Sequence, residues 1–103
     1  MIEKAKGGYN LLIGPKVIPT SATDECIVDC WIHTLHITNP TAGAITVTVQ
    51  DRQAVPITLV PGEILNAGDW FSMESSSGRA FPGGFSWQAT APGLHGFAMG
   101  VIR

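Results

Sequence analysis

Twelve glycines and seven prolines interrupt this chain of 103 residues at short intervals, and they limit its fold more than any other feature. No window of about eleven residues combines the i, i+3, i+4, i+7 apolar spacing of a helix with good helix-forming residues. The segments between the breaks are rich in β-branched and aromatic residues, and several alternate apolar with polar side chains. The chain is therefore predicted to be all-β.

The clearest strand signals lie within residues 26–51, which are predicted to form a long β-hairpin. Residues 27–38 are rich in β-branched and aromatic side chains, and residues 44–49 alternate isoleucine or valine with threonine. That alternation is the period of a half-buried strand. Asn39 and Pro40, between the two runs, are typical turn residues.

Further strands are predicted at residues 55–60, 69–74, 85–90 and 95–102. Three Pro-Gly pairs, Pro61-Gly62, Pro82-Gly83 and Pro92-Gly93, fit the central positions of type II turns and predict strand reversals. The serine-rich and glycine-rich residues 75–84 are predicted to be the main loop. This spacing favours an antiparallel β-sandwich or jelly roll of about seven to eight strands.

Residues 1–24 are predicted to form an extended N-terminal arm, and residues 25–103 a single β-sandwich domain. Residues 1–8 are too polar to drive their own burial, whereas residues 9–13 are apolar and must dock. The dock is either the chain's own sheet or a neighbouring subunit. In the second case, a chain lacking residues 1–13 would stay folded and lose association.

The low charge of the chain excludes some partners and favours others. Only 14% of the residues are charged, the formal net charge is −2, and the six Lys and Arg form no basic stripe, so nucleic acid is not expected. No apolar run approaches the roughly 20 residues of a membrane helix. A surface built from Thr, Ser, Gly, Asn and apolar groups is suited to protein contact.

Cys26 and Cys30 are predicted to remain reduced. Four residues apart on one predicted strand, their Cα atoms would lie ~13 Å apart, whereas a disulfide requires less than ~7 Å. They are interpreted as small buried apolar side chains.

No catalytic or cofactor site is predicted. His33 and His36 would point to opposite faces of one strand, and His95 has no cysteine or carboxylate at ligand spacing. A metal site shared between subunits on a symmetry axis is the alternative. Residues 84–88 lack the final glycine of a nucleophile elbow, and the carboxylates of residues 24–29 are interpreted as a solvated patch. The protein is therefore predicted not to be an enzyme.

The aromatic residues predict an interface. The chain has three tryptophans, four phenylalanines and one tyrosine, and strand alternation should leave about half of those on strands facing outward. Such residues are enriched in oligomer interfaces, although a sandwich with one or two partly covered aromatics is the alternative. The candidate interface residues are Tyr9, Leu11, Leu12, Ile13, Trp31, Trp70, Phe81 and Trp87.

The order of several segments, ITNPTAGA, TVTVQD, LVPGEIL, NAGDWF, GGFSWQAT and GLHGF, resembles the small β-sandwich virion proteins of tailed bacteriophages, especially capsid decoration (cement) proteins. The likeness covers about residues 26–103. It implies a jelly roll or related sandwich, often trimeric, that binds the major capsid protein or another virion protein on the capsid surface after assembly in the host cytoplasm. The alternative is a carbohydrate-binding or receptor-binding module of a phage tail or fibre, in which Trp31, Trp70 or Trp87 would stack on sugar rings.

Overall fold

A computed structural model describes residues 4–5, 8–53 and 58–102, with side chains for 10–53, 62–74 and 78–102. These residues form no helix, so none of them lies in a helix that could cross a membrane. The all-β prediction is confirmed, although the described chain has more strands than the seven or eight expected. They are β1 (Lys4–Ala5), β2 (Gly8–Val17), β3 (Thr23–Cys26), β4 (Cys30–Thr38), β5 (Ile45–Asp51), β6 (Thr58–Leu65), β7 (Trp70–Phe81), β8 (Phe85–Ala89) and β9 (His95–Ile102).

The strands form two antiparallel sheets that pack as a sandwich. The five-stranded sheet has the order β1-β2-β9-β4-β7, and the four-stranded sheet has the order β3-β8-β5-β6. The strand pairs are nested along the chain: β2 pairs with β9, β3 with β8, β4 with β7 and β5 with β6. The chain is therefore one long antiparallel ribbon wound into two sheets, which is the winding of a jelly roll.

The predicted hairpin over residues 26–51 is wrong. Its two strands, β4 and β5, lie in different sheets, and the connection between them crosses the end of the sandwich. Asn39 holds this crossing, because its side-chain nitrogen donates to the backbone carbonyls of Gly43 and Leu65, each at 2.8 Å. Asn and Pro suit a crossing connection as well as a hairpin turn, so the local sequence does not distinguish the two.

The segment before β3 belongs to the chain's own five-stranded sheet. β2 pairs with β9 from Tyr9 opposite Ile102 to Ile13 opposite Ala98, and Ile13 and Ile18 are buried in the core. In the described residues, the segment therefore docks on the chain's own sheet, which is the first of the two docks considered for residues 9–13. Removing residues 1–13 would delete most of β2, so the truncated chain is not expected to stay folded. Residues 1–3 and 6–7 lie outside the described residues.

Most of the predicted loop at residues 75–84 is strand. β7 continues to Phe81, and its register against β4 jumps from Glu74 opposite Thr34 to Arg79 opposite Ile32. Residues 75–78 therefore form a bulge opposite His33. Small polar residues suit a bulge as well as a loop, which explains the error.

Pro61 and Gly62 likewise lie inside β6 instead of reversing the chain. Val47 is opposite Glu63 and Thr48 is opposite Pro61, so Gly62 has no partner and forms a bulge at φ +85°. The turns predicted at Pro82-Gly83 and Pro92-Gly93 are confirmed.

Aromatic side chains on β8 fill the centre of the core. The Phe85 ring lies 5.3 Å from Phe81 and 5.2 Å from Trp87, measured between ring centroids. Trp87 reaches across to β9 at Gly96, where a Cβ atom would lie only 3.1 Å from the indole and 3.1 Å from Ile18. A glycine at this position lets the largest core side chain pack against the opposite sheet.

Candidate interface on the outer face of the five-stranded sheet

Among the described residues, the outer face of the five-stranded sheet carries seven large apolar side chains among polar ones such as Thr34, Thr38 and Ser72. Directly opposed residues on antiparallel strands share a face, so Leu12 and Met99 lie side by side, as do Trp31 and Val101. Phe97, between Met99 and His95 on β9, points the same way because successive side chains alternate. We call this surface the apolar face; its apolar members among the described residues are Leu12, Val17, Trp31, Trp70, Phe97, Met99 and Val101.

Three rings on three neighbouring strands form the centre of the apolar face. His36 on β4 is stacked on Trp70 of β7, with ring centroids 5.9 Å apart and an interplanar angle of 28°. Its other neighbour is Phe97 on β9, at 5.6 Å and 34°. Trp70 nevertheless remains 65% exposed, so this cluster leaves most of its largest ring in water.

Aliphatic side chains extend this surface towards β2. Leu12 is 64% exposed, Val17 49% and Met99 37%, and Trp31 and Val101 are half-buried beside them. Exposed or half-buried apolar side chains therefore lie on all four of the strands β2, β9, β4 and β7. Exposed apolar side chains grouped on one face often mark an interaction site.

The outer face of the four-stranded sheet has a different composition. Its outward side chains are mostly threonine, glutamine and serine, and the register places Thr48 opposite Gln88 and Gln50 opposite Ser86. Ile64 on β6 lies opposite Thr46 on β5 and is an exposed apolar side chain on this face. One face of the sandwich thus suits water, while the other suits a partner.

Formal charges are scarce on the apolar face. Among the described outward side chains of the five-stranded sheet, only Glu74, beside Thr34, carries one. Lys16 pairs instead with Glu25 at 3.0 Å, and Arg52 with Asp24 at 2.9 Å. Burying this face in an interface would therefore cost little charge desolvation.

Trp87 is held by a polar network between the two sheets. Its indole nitrogen donates to the Glu25 carboxylate at 3.0 Å, and the same carboxylate accepts from the Lys16 ammonium at 3.0 Å. Trp87 is only 1% exposed. This tryptophan is therefore a core residue with its one donor satisfied.

The candidate interface residues divide between surface and core. Leu12, Trp31 and Trp70 lie on the apolar face. Three other candidates, Ile13, Phe81 and Trp87, are buried within the sandwich. Their prediction as interface residues is therefore wrong. Leu11 is half-buried and packs against the core, and the side chain of Tyr9 lies outside the described residues.

Sequence reasoning missed Phe97, Met99 and His36. A signal for the first two is present in β9, where large residues alternate with Gly96, Ala98 and Gly100. The three small residues point inward and are buried. Since alternation is strict in a strand, small inward positions imply that the large side chains face out.

The described residues contain no group of three or more His, Cys, Asp or Glu that could hold a metal ion. His33 forms a 3.1 Å hydrogen bond with its neighbour Thr34, and His36 is stacked within the apolar face. A depression beside Gln50 and Gln88 has a volume of about 30 Å³, room for about one water molecule.

No family model matches this chain, and no match is found among the curated proteins or the solved structures. Its function is therefore inferred from its fold and from the chemistry of its surface.

Proposed function

We propose that this protein is a non-catalytic structural protein that associates through the apolar face, and specifically that it is a capsid decoration protein of a tailed phage. The observation that carries the proposal is the exposure of Trp70, at 65%, and Leu12, at 64%, on the face that also carries Phe97, Met99 and Val101. Such a face is stabilised when a partner covers it, because burial of apolar surface is the main favourable term in association.

The proposed first partner is another copy of the chain, with a trimer favoured. Trp70, Phe97 and Met99 belong to the residue types that are enriched in interface cores. The scarcity of formal charge on the apolar face allows copies to approach without like-charge repulsion across a symmetry axis.

The proposed second partner is the major capsid protein or another virion protein, at the capsid surface. Two-sheet jelly rolls are found in viral capsid and lectin domains, so the fold supports a virion role by analogy. The order of segments in residues 26–103 supports it as a resemblance. Because unrelated functions share this architecture, binding must be tested directly.

The test is co-sedimentation with bare capsids from the phage that encodes the chain. The wild type should pellet with capsids to saturation, and the double variant Leu12→Ser, Trp70→Ser should pellet at least about tenfold less, corresponding to ~1.4 kcal/mol of lost binding. The matched control is Thr48→Ser, Gln50→Ser on the opposite face, which should pellet like the wild type. Wild-type protein that stays in the supernatant would contradict the proposal.

A carbohydrate-binding module is the second candidate, and the exposure of Trp70 favours it. Its indole ring is stacked on His36 at an interplanar angle of 28°, and Trp70 is 65% exposed, an arrangement that could hold a sugar ring. Trp87, also considered for this role, is buried. A glycan panel monitored by tryptophan fluorescence separates the candidates: saturable quenching that Trp70→Ser abolishes would favour sugar binding, and an unchanged spectrum would favour the decoration role.

A further inference from the structure

Two cysteines flank a point where the chain passes from one sheet to the other. β3 ends at Cys26 in the four-stranded sheet, and β4 begins at Cys30 in the five-stranded sheet. The chain bends at Val28 between them. The ~13 Å separation expected for one straight strand therefore does not apply to this pair.

The two side chains enter the same part of the core. Cys26 is opposite Phe85 and Cys30 is opposite Phe81, and directly opposed Cα atoms lie about 4.5–5.5 Å apart. The two phenylalanine rings are themselves 5.3 Å apart across the sheets. Both cysteines thus border one aromatic pair, and both are free thiols.

The thiols also influence each other. Burial, together with the charge of Cys26, a hydrogen bond with Cys26 and a smaller effect from Asp29, raises the pKa of the Cys30 thiol to about 12. The Cys26 sulfur lies 3.4 Å from the Val28 carbonyl oxygen. Cys26 is 7% exposed, whereas Cys30 is fully buried, so the two thiols differ in accessibility.

We propose that Cys26 and Cys30 form a dithiol pair that a small disulfide oxidant, such as glutathione disulfide, converts into an intrachain disulfide joining the two sheets. The Cys26 thiolate attacks one glutathione sulfur, forms a mixed disulfide and releases one glutathione thiolate. Cys30 then loses its proton and attacks the Cys26 sulfur, releasing the second glutathione. Two thiol protons are lost, one S–S bond forms in the protein, and the oxidant is reduced to two thiols.

Cys26 reacts first because it is the more accessible thiol and because Cys30 is held protonated. The residues next to it, Ile27 and Val28, are 69% and 45% exposed. A surface segment of this kind opens locally without global unfolding. Cys30 attacks only after Cys26 has formed the mixed disulfide, in which glutathione is the leaving group.

The test uses the folded full-length protein and glutathione disulfide. After acid quenching and alkylation, trypsin releases both cysteines in one peptide, residues 17–52, because no Lys or Arg lies between Lys16 and Arg52. The expected product is that peptide with two hydrogens fewer than the reduced form, no alkyl group and no glutathione. Unreacted thiols, a persistent glutathione adduct on Cys26, or disulfide-linked dimers would each overturn the proposal.

Two single variants test the order of attack. Cys30→Ala should accumulate a stable glutathione adduct on Cys26, because the second thiol is missing, while Cys26→Ala should remain unmodified under the same conditions. An adduct on Cys30 in Cys26→Ala at the rate of the wild-type reaction would contradict the assigned order. If either variant fails to fold, the wild-type peptide mass still decides whether the disulfide forms.

Discussion

At the residue scale, Asn39 holds one end of the sandwich together. Its side chain is 1% exposed and donates to the carbonyls of Gly43 and Leu65. Its oxygen accepts from the Thr41 amide at 3.0 Å and from the Thr41 hydroxyl at 2.6 Å. Because both the amide nitrogen and the amide oxygen of this buried side chain are hydrogen-bonded, Asn39 fixes the crossing from β4 to β5.

Replacing Asn39 should destabilise the fold. Asn39→Ala leaves the Leu65 carbonyl buried without this donor, so the free energy of unfolding in urea should fall by about 1–3 kcal/mol. Asn39→Asp should cost at least as much, since a carboxylate cannot donate to either carbonyl. Asn10→Asp, at an exposed position, is the control and should stay within about 0.5 kcal/mol of the wild type. Equal stability of all four proteins would contradict this role.

Because the pKa of the Cys30 thiol is raised, we expect the protein to lose stability at alkaline pH. This pKa is raised to about 12 in the folded protein, mainly by burial, while an unfolded chain releases this proton near pH 8.5. Between these values the folded state keeps a proton that the unfolded state has lost, so stability falls as pH rises. By about pH 10 this loss should be about 1–2 kcal/mol.

Urea unfolding of the wild type and of Cys30→Ala, each at about pH 7.5 and about pH 10, measures this effect. The wild type should lose more stability between the two pH values than the variant does, because the variant lacks the titrating group. Equal losses would show that this thiol does not control the alkaline transition.

At the element scale, local sequence patterns identify strands but not their partners. Alternation correctly predicted extended structure at β5 and β8. Partners, however, depend on residues far along the chain: β2 pairs with β9, so Tyr9 lies opposite Ile102. The predicted hairpin failed for this reason, since β4 pairs with β7 and β9, and β5 with β6 and β8. Glycine marks bulges as well as turns, so the reversal predicted at residues 61–62 and the first part of the loop predicted at residues 75–84 are irregularities within strands.

Substitution of two adjacent residues of β2 should destabilise the fold to different extents. Ile13 is buried, so Ile13→Ala should lower the free energy of unfolding by about 2–4 kcal/mol through lost burial and a cavity. Leu12 is 64% exposed on the apolar face, so Leu12→Ala should cost less than about 1 kcal/mol in the free energy of unfolding. Urea unfolding of the two variants measures the difference. Similar values for both would contradict the placement of β2 in the sheet.

At the scale of the whole molecule, the two outer faces of the sandwich differ in chemistry. The four-stranded sheet presents mostly threonine, glutamine and serine, whereas the five-stranded sheet presents the apolar face. Sequence alone predicted that about half of the strand aromatics would face outward, but it could not say which half. The direction of each side chain depends on the strand register and on which face of its sheet packs against the other sheet. The prediction of a surface position was therefore correct for Trp70 and wrong for Phe81 and Trp87.

The central claim is that the apolar face carries association, and the molecular mass in solution tests it most directly. Light scattering after size exclusion should give the wild type a multiple of the 10.9 kDa chain mass, with a trimer favoured. Leu12→Ser, Trp70→Ser should give the monomer mass with an unchanged far-ultraviolet circular dichroism spectrum, and the control Thr48→Ser, Gln50→Ser should match the wild type. A wild type that stays at 10.9 kDa at every concentration tested, or a double variant that keeps the wild-type mass, would contradict the claim.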